Sequence, residues 1–394
     1  MTAKSLVLHI GDPKTGSSSI QEVLRNRLYE TDIVQVDYPD QLNSFPLANA
    51  LWDKKQMVHR DARWARLGEW LKASTADVAI VSAEQFFRVD PEVLLQTLNE
   101  FVPELAGSVR IVAYVRPHAN RLLSAYMQRT KAGLFQGDMK TFFERSKKED
   151  LLSYSARFQH WRDTFGQRFT LRPMIRDQLR DGDVVTDFLD YALKGQAFRL
   201  RGTVAANTSL SLECLAGLRE VQAVLKRNEI AIGTRHSVGD HIGRSLAGTL
   251  ASKGTTLQLP QSLYDEVKAF CAEDAAALDA AFFDRPLMTA ALAQAGQDAV
   301  SDRQILLAKD CYSDETLQAL RKTGRQLVTL FKKRPVAWTV AFERDIGQRP
   351  LPEDKAPPAP PVLAHIEKVD ALLADLARLV ATPLTDAAQP APQP

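Results

Sequence analysis

Leu8-His9-Ile10-Gly11-Asp12-Pro13-Lys14-Thr15-Gly16-Ser17-Ser18-Ser19-Ile20-Gln21 is the segment from which the architecture of this chain can be read. It begins as a short apolar strand, Leu6 to Ile10, and turns through a loop rich in Gly, Ser and Lys. It then continues as a helix with Ile20, Val23, Leu24 and Leu28 at apolar spacing. That order gathers backbone N–H groups, hydroxyls and the positive end of a helix dipole around one point. An oxyanion of the phosphate or sulfate type fits there. Ser and Thr also cap ordinary helices, so the loop by itself leaves that plainer reading open.

Gly11 and Gly16 have the glycine spacing of G-x-x-x-x-G-K-[ST], but Ser17 stands where that motif needs its lysine. The lysine is displaced into the loop, at Lys14. Pro13-Lys14-Thr15-Gly16-Ser17-Ser18 resembles the phosphosulfate loop of the sulfotransferases, written P-K-[ST]-G-[ST]-[ST]. A second segment strengthens the resemblance. Arg110 to Val115 is an apolar run of strand type, ended by Arg116-Pro117, and Leu122, Leu123, Tyr126 and Met127 then follow at helical spacing. Arg116 at a strand end and Ser124 on the next helix resemble the sulfotransferase site for the 3′-phosphate of 3′-phosphoadenosine 5′-phosphosulfate. A guanidinium gives forked, charge-assisted bonds to phosphate, and a hydroxyl adds another donor.

The resemblance implies an α/β fold of P-loop type, a parallel sheet flanked by helices, with a helical C-terminal extension. It implies the phosphosulfate nucleotide as co-substrate, held by Lys14, Thr15, Gly16, Ser17, Ser18, Arg116 and Ser124. Lys14 would also be catalytic, acting on the charge of the leaving phosphate. No metal is required by this chemistry, and no metal-ligand spacing is evident. For the base that takes the acceptor proton, Glu84 is the first candidate, directly after the apolar run Val78–Ser82. Some glycan and protein sulfotransferases have a catalytic glutamate in a similar place. His9 and His118 are the alternatives, since imidazole titrates in the right range. Trp52, His59, Trp64 and Trp70 lie between the first helix and Glu84 and either line an acceptor cleft or simply pack. One departure stands out. The R-K-G-x-x-G-x-x-K motif of many cytosolic sulfotransferases is absent, with only faint echoes at Lys253-Gly254 and Lys322–Arg325. The bacterial and glycan-acting branches often lack it, which directs the expected acceptor toward a hydroxyl, or an amine, of a carbohydrate-like or other small molecule. The alternatives are a small-molecule P-loop kinase and a non-catalytic nucleotide-binding member of the fold.

Four strands are expected, at Leu6–Ile10, Val78–Ser82, Ile111–Val115 and Phe169–Arg172, separated by helical patterns that call for parallel pairing. The 394 residues allow one large domain with appendages. A transferase domain is expected over 1–345, with its core at 4–230 and a helical extension at 231–345. A Pro-rich linker follows at 346–361, then an amphipathic helix at 362–381, suited to self-association or to folding back on its own domain, and a disordered tail at 382–394. The formal net charge of +2 gives no support for a nucleic-acid binder. Three scattered cysteines are expected to be free thiols. Met1-Thr-Ala-Lys-Ser5 runs straight into the first strand, and no apolar run reaches membrane-spanning length, so a cytoplasmic protein is expected.

Overall fold

The computed structural model describes residues 5–201, 210–247, 249, 254–302, 304, 307–349 and 358–384. These fall into two compact units. One comprises the described residues of 1–121, 150–204 and 265–297, the other those of 122–149, 205–264 and 298–394.

The first unit is built on a five-stranded parallel sheet flanked by helices. Its strands are β1 (Ser5–His9), β2 (Val36–Asp37), β3 (Val78–Ser82), β4 (Arg110–Val115) and β5 (Phe169–Pro173), in the order β2-β3-β1-β4-β5. Register runs Ser5 against Val78 and His9 against Ser82 on one side of β1, and Val7 against Arg110 and His9 against Val112 on the other. Every residue of β3, and all of β4 beyond Arg110, is buried, as expected of strands covered on both faces. All four expected strands form, Val78–Ser82 with both ends as expected and the others with ends within a residue. β2 was not foreseen: two residues are too short to carry a periodicity.

The segment α1 (Ser17–Arg25) follows β1, α2 (His118–Lys131) follows β4, α3 (Ser155–Phe165) precedes β5, and α4 (Val184–Ala192) follows it. Ile20, Val23 and Leu24 of α1 share a buried cluster with Val7, Ile80 and Val112 of the sheet and Val184, Phe188 and Leu189 of α4. Polar contacts then fix α4 in place. Asp187, almost fully buried, accepts bonds from Tyr114 Oη (2.6 Å), Arg172 Nε (2.5 Å) and Nη2 (2.6 Å), and the Arg180 N–H (3.1 Å). At the other end of α4, Arg110 donates to the Tyr191 and Ala192 carbonyls at 2.8 and 2.7 Å, where the helix dipole favours a cation.

The second unit is helical. It contains α5 (Leu212–Arg227), α6 (Ile232–Leu246), α8 (Asp314–Lys333), α9 (Ala337–Asp345) and α10 (Pro360–Val380), while α7 (Gln261–Phe282) runs from this unit into the first. The amphipathic C-terminal segment is α10, and it folds back on its own unit. Val369, Leu373, Leu376 and Val380 are buried, Trp338 Nε1 donates to Asp370 at 2.7 Å, and Tyr312 Oη donates to the Val380 carbonyl at 2.8 Å. Residues 350–357 of the expected linker and 385–394 of the expected tail lie outside the described residues, as does Lys253, while Lys322–Arg325 lies inside α8. Cys214, Cys271 and Cys311 are thiols, joined in no disulfide. No described helix is long and apolar enough to cross a membrane.

Removing the Asp187 carboxylate leaves Arg172 and Tyr114 without their buried acceptor. Asp187→Ala is expected to lower unfolding stability by about 3 kcal/mol, read by urea titration. A loss below about 1 kcal/mol, the level of an exposed pair, would show that α4 is not held this way.

Candidate active site

β1 lies inside the sheet with β3 and β4 on either side, so the loop leaving its carboxyl end opens where the connections diverge, the usual place for a ligand in such sheets. Its geometry depends on two glycines. Gly11, at φ 98°, brings the backbone so close to the Glu84 turn that an added Cβ would lie 3.0 Å from Glu84 Cα and Cβ. Gly16, at φ 83°, immediately precedes α1, and a Cβ there would meet Val184 Cγ1 at 2.5 Å. Both conditions, left-handed backbone and close approach, select glycine.

The loop's carbonyls are turned onto protein donors. Thr15 Oγ1 donates to the Asp12 carbonyl at 2.5 Å, Arg121 Nη1 to that of Pro13 at 2.5 Å, and Arg116 Nη1 to that of Lys14 at 2.9 Å. The Asp12 carboxylate, buried, sits 3.2 Å from Arg157 Nη1 and 3.7 Å from Arg121 Nη2. The first intrahelical bonds of α1 run from Ser19 and Ile20 N–H to the Gly16 carbonyl. The N–H groups of Ser17 and Ser18 precede them, at the positive end of the helix. Ser17 Oγ is buried and meets no hydrogen-bond partner among the described residues, whereas Ser18 is exposed. A buried hydroxyl left without a protein partner calls for an explanation, and a bound oxyanion would supply one. The loop residues fit an oxyanion.

Lys14, Thr15, Gly16, Ser17, Ser18 and Arg116 are thus brought together, and Glu84 joins them. Glu84 is half-buried at the start of the turn that follows β3 and accepts a bond from Gln21 Nε2 at 3.1 Å. Burial raises its pKa, while its own backbone N–H, Gln21 and the Lys14 charge pull the other way. Burial, and then the neighbouring Arg121, pull Arg116 below its ordinary value, though a guanidinium stays protonated throughout the working range. Ser124 is half-buried on α2 in the second unit.

Both histidines are fully buried. His9 packs between Tyr114 and Phe188 with Nδ1 2.8 Å from Ser82 Oγ, and burial lowers its pKa to about 3, so the ring is neutral. His118 Nε2 lies 2.8 Å from Asp274 Oδ2. The Asp274 carboxylate also accepts the N–H groups of Tyr154 and Ser155 and the Ser155 hydroxyl. Burial opposes its ionisation, but these bonds hold it below the usual carboxylate range. Trp64 is core, packed on Phe86, and the Trp52 ring lies under the Arg88 guanidinium at 4.8 Å.

Asp12, Gln21, Arg121, Arg157 and Asp274 take part in this site, and sequence reasoning passed over all five. For Gln21 a signal existed: it lies one turn past Ser17 on the same helix face. The others depend on pairings between distant parts of the chain.

No family model matches the chain, and no curated protein matches it. Among solved structures, the chain is similar to a sulfotransferase from Alicyclobacillus acidocaldarius over 73% of its own length and 99% of that protein's, with 15% identity and a TM-score of 0.39.

The raised Glu84 pKa has a thermodynamic consequence of definite sign. Between the ordinary value of 4.5 and the higher folded-state value, the folded protein binds this proton more tightly than the unfolded chain. The contribution to stability is therefore fully present below about pH 4 and declines as pH rises through that window. Glu84→Gln has no proton to lose there. The unfolding free energy of the wild type minus that of Glu84→Gln, measured by denaturant titration across pH, is expected to fall over the window and then level. A difference that stays flat or rises with pH would contradict the burial of Glu84.

Proposed function

We propose that this protein is a sulfotransferase that uses 3′-phosphoadenosine 5′-phosphosulfate and acts on a hydroxyl, or an amine, of a carbohydrate-like or other small acceptor. The observation that carries the reading is the buried Ser17 hydroxyl at the head of α1, unpartnered among the described residues, in a loop whose lysine is at Lys14 and not after Gly16. That displacement disfavours a triphosphate-binding loop and suits a shorter anionic group lying across the loop. The donor supplies an electron-poor sulfur that passes in line between two oxygens, so the protein's part is positioning and charge stabilisation.

On this reading the Ser17 and Ser18 N–H groups and hydroxyls hold the 5′-phosphate. Lys14 neutralises charge on the phosphate oxygen as it departs. Arg116, which braces the loop through the Lys14 carbonyl, is the charge-assisted donor to the 3′-phosphate. Glu84, pushed up by burial and held in reach of ionisation by Lys14 and Gln21, accepts the proton from the acceptor hydroxyl.

Lys14 acts on charge that develops as the bond breaks. Lys14→Ala is expected to reduce sulfuryl transfer by about a hundredfold or more while weakening 3′,5′-diphosphoadenosine far less, read by turnover and calorimetry. Unchanged turnover in Lys14→Ala would remove the loop from the mechanism.

A further inference from the structure

Gln21, on the helix that follows the anion loop, donates to the Glu84 carboxylate. It is almost wholly buried, although a glutamine interior to a helix has no local reason to be. Its Nε2 lies 3.1 Å from Glu84 Oε2 and 3.1 Å from Ser82 Oγ, so both amide hydrogens are committed. The partners fix the amide orientation, because the flipped amide would set its carbonyl oxygen against a carboxylate. Ser82, at the end of β3, is held in turn by His9 Nδ1 at 2.8 Å. Neutral His9 adds no charge to the chain of contacts.

The geometry points to Gln21 as the positioning residue of the Glu84 carboxylate: it fixes one carboxylate oxygen through a neutral donor and leaves the other for the acceptor proton. The inference rests on the reading of Glu84 as the base. The residue type matters. A lysine or arginine at this place would lock Glu84 in an ion pair, and an apolar side chain would leave its burial unopposed. A neutral amide orients the carboxylate while keeping it basic. Because Gln21 belongs to the first turns of α1, the same helix presents the anion-binding N–H groups and aims the base.

The charged and titratable groups around Glu84 are few. Lys14 approaches from the loop, and the Tyr38 phenol, pushed up by burial, feels the Glu84 charge. The helix Phe45–Trp52, packed against the Glu84–Arg88 turn, carries no ionisable side chain. Arg88, on that turn, lays its guanidinium over the Trp52 and Phe87 rings. Gln21 is thus the neutral hydrogen-bond donor from another element that stabilises the ionised form.

The test is the titration of Glu84 in the full chain by infrared difference spectroscopy, with Glu84→Gln used to assign the carboxyl signal. In Gln21→Met, which keeps length and burial but not the donor, the midpoint is expected to rise by about one pH unit. In Gln21→Glu it is expected to rise further and to broaden, as two coupled carboxyls share protons. The acidic limb of the rate profile should move by the same offset, with 3′,5′-diphosphoadenosine binding changed less than about twofold. A merely structural role would lower stability without moving the midpoint. Midpoints in both variants matching the wild type would overturn the inference. A shifted midpoint in a protein that transfers no sulfuryl group to any acceptor would support the role of Gln21 and overturn the reading of the reaction instead.

Discussion

Three carbonyl oxygens of the loop after β1 face protein donors, and much of the site follows from that. Asp12 gives its carbonyl to Thr15, Pro13 to Arg121 and Lys14 to Arg116. A loop whose acceptors are satisfied on one side has only donors to offer on the other. The left-handed turn at Gly16 then delivers the chain into α1 with the Ser17 and Ser18 N–H groups leading. The result is a fixed donor surface that needs little reorganisation when an anion arrives, which is the property that electrostatic catalysis requires.

The charges around the loop agree with this. Lys14, Arg116, Arg121 and Arg157 are set against Asp12 and Glu84, a local excess of cations in a chain whose overall charge is almost balanced. The two carboxylates have different surroundings. Asp12 lies beside two guanidiniums, and Glu84 accepts from an amide near a lysine charge while burial raises its pKa. On the proposed reading the two carboxyls beside the loop carry different duties, Asp12 bracing it and Glu84 taking the acceptor proton. The bracing extends outward through Asp274, which caps the start of α3 and bonds His118 at the start of α2, the helices that carry Arg157 and Arg121.

What the sequence made legible was whatever is encoded locally. Four strands were readable because burial on both faces leaves an unbroken apolar run, and β2 was not because Val36 and Asp37 have no run to show. The loop was readable because its glycines, lysine and hydroxyls are contiguous, and Glu84 was proposed from its place after a strand. The clamp on the loop was not readable. Arg121 meets Pro13 across 108 residues and His118 meets Asp274 across 156, and a single sequence has no periodicity that reports such pairings. The Ser17 hydroxyl was named beside those of Thr15 and Ser18. Only the fold separates it, buried and without a partner, from exposed Ser18 and from Thr15, whose hydroxyl is spent inside the loop.

The claim at the centre of this account is that the loop and Arg116 recognise a nucleotide by its phosphate placement. Calorimetric titration with 3′,5′-diphosphoadenosine, ADP and ATP under one set of conditions tests it without knowledge of the acceptor. The account predicts that 3′,5′-diphosphoadenosine binds at least about tenfold more tightly than ADP or ATP, the consequence of roughly 1.4 kcal/mol or more from charge-assisted bonds to the 3′-phosphate. Tighter binding of ATP, or equal binding of all three, would contradict it.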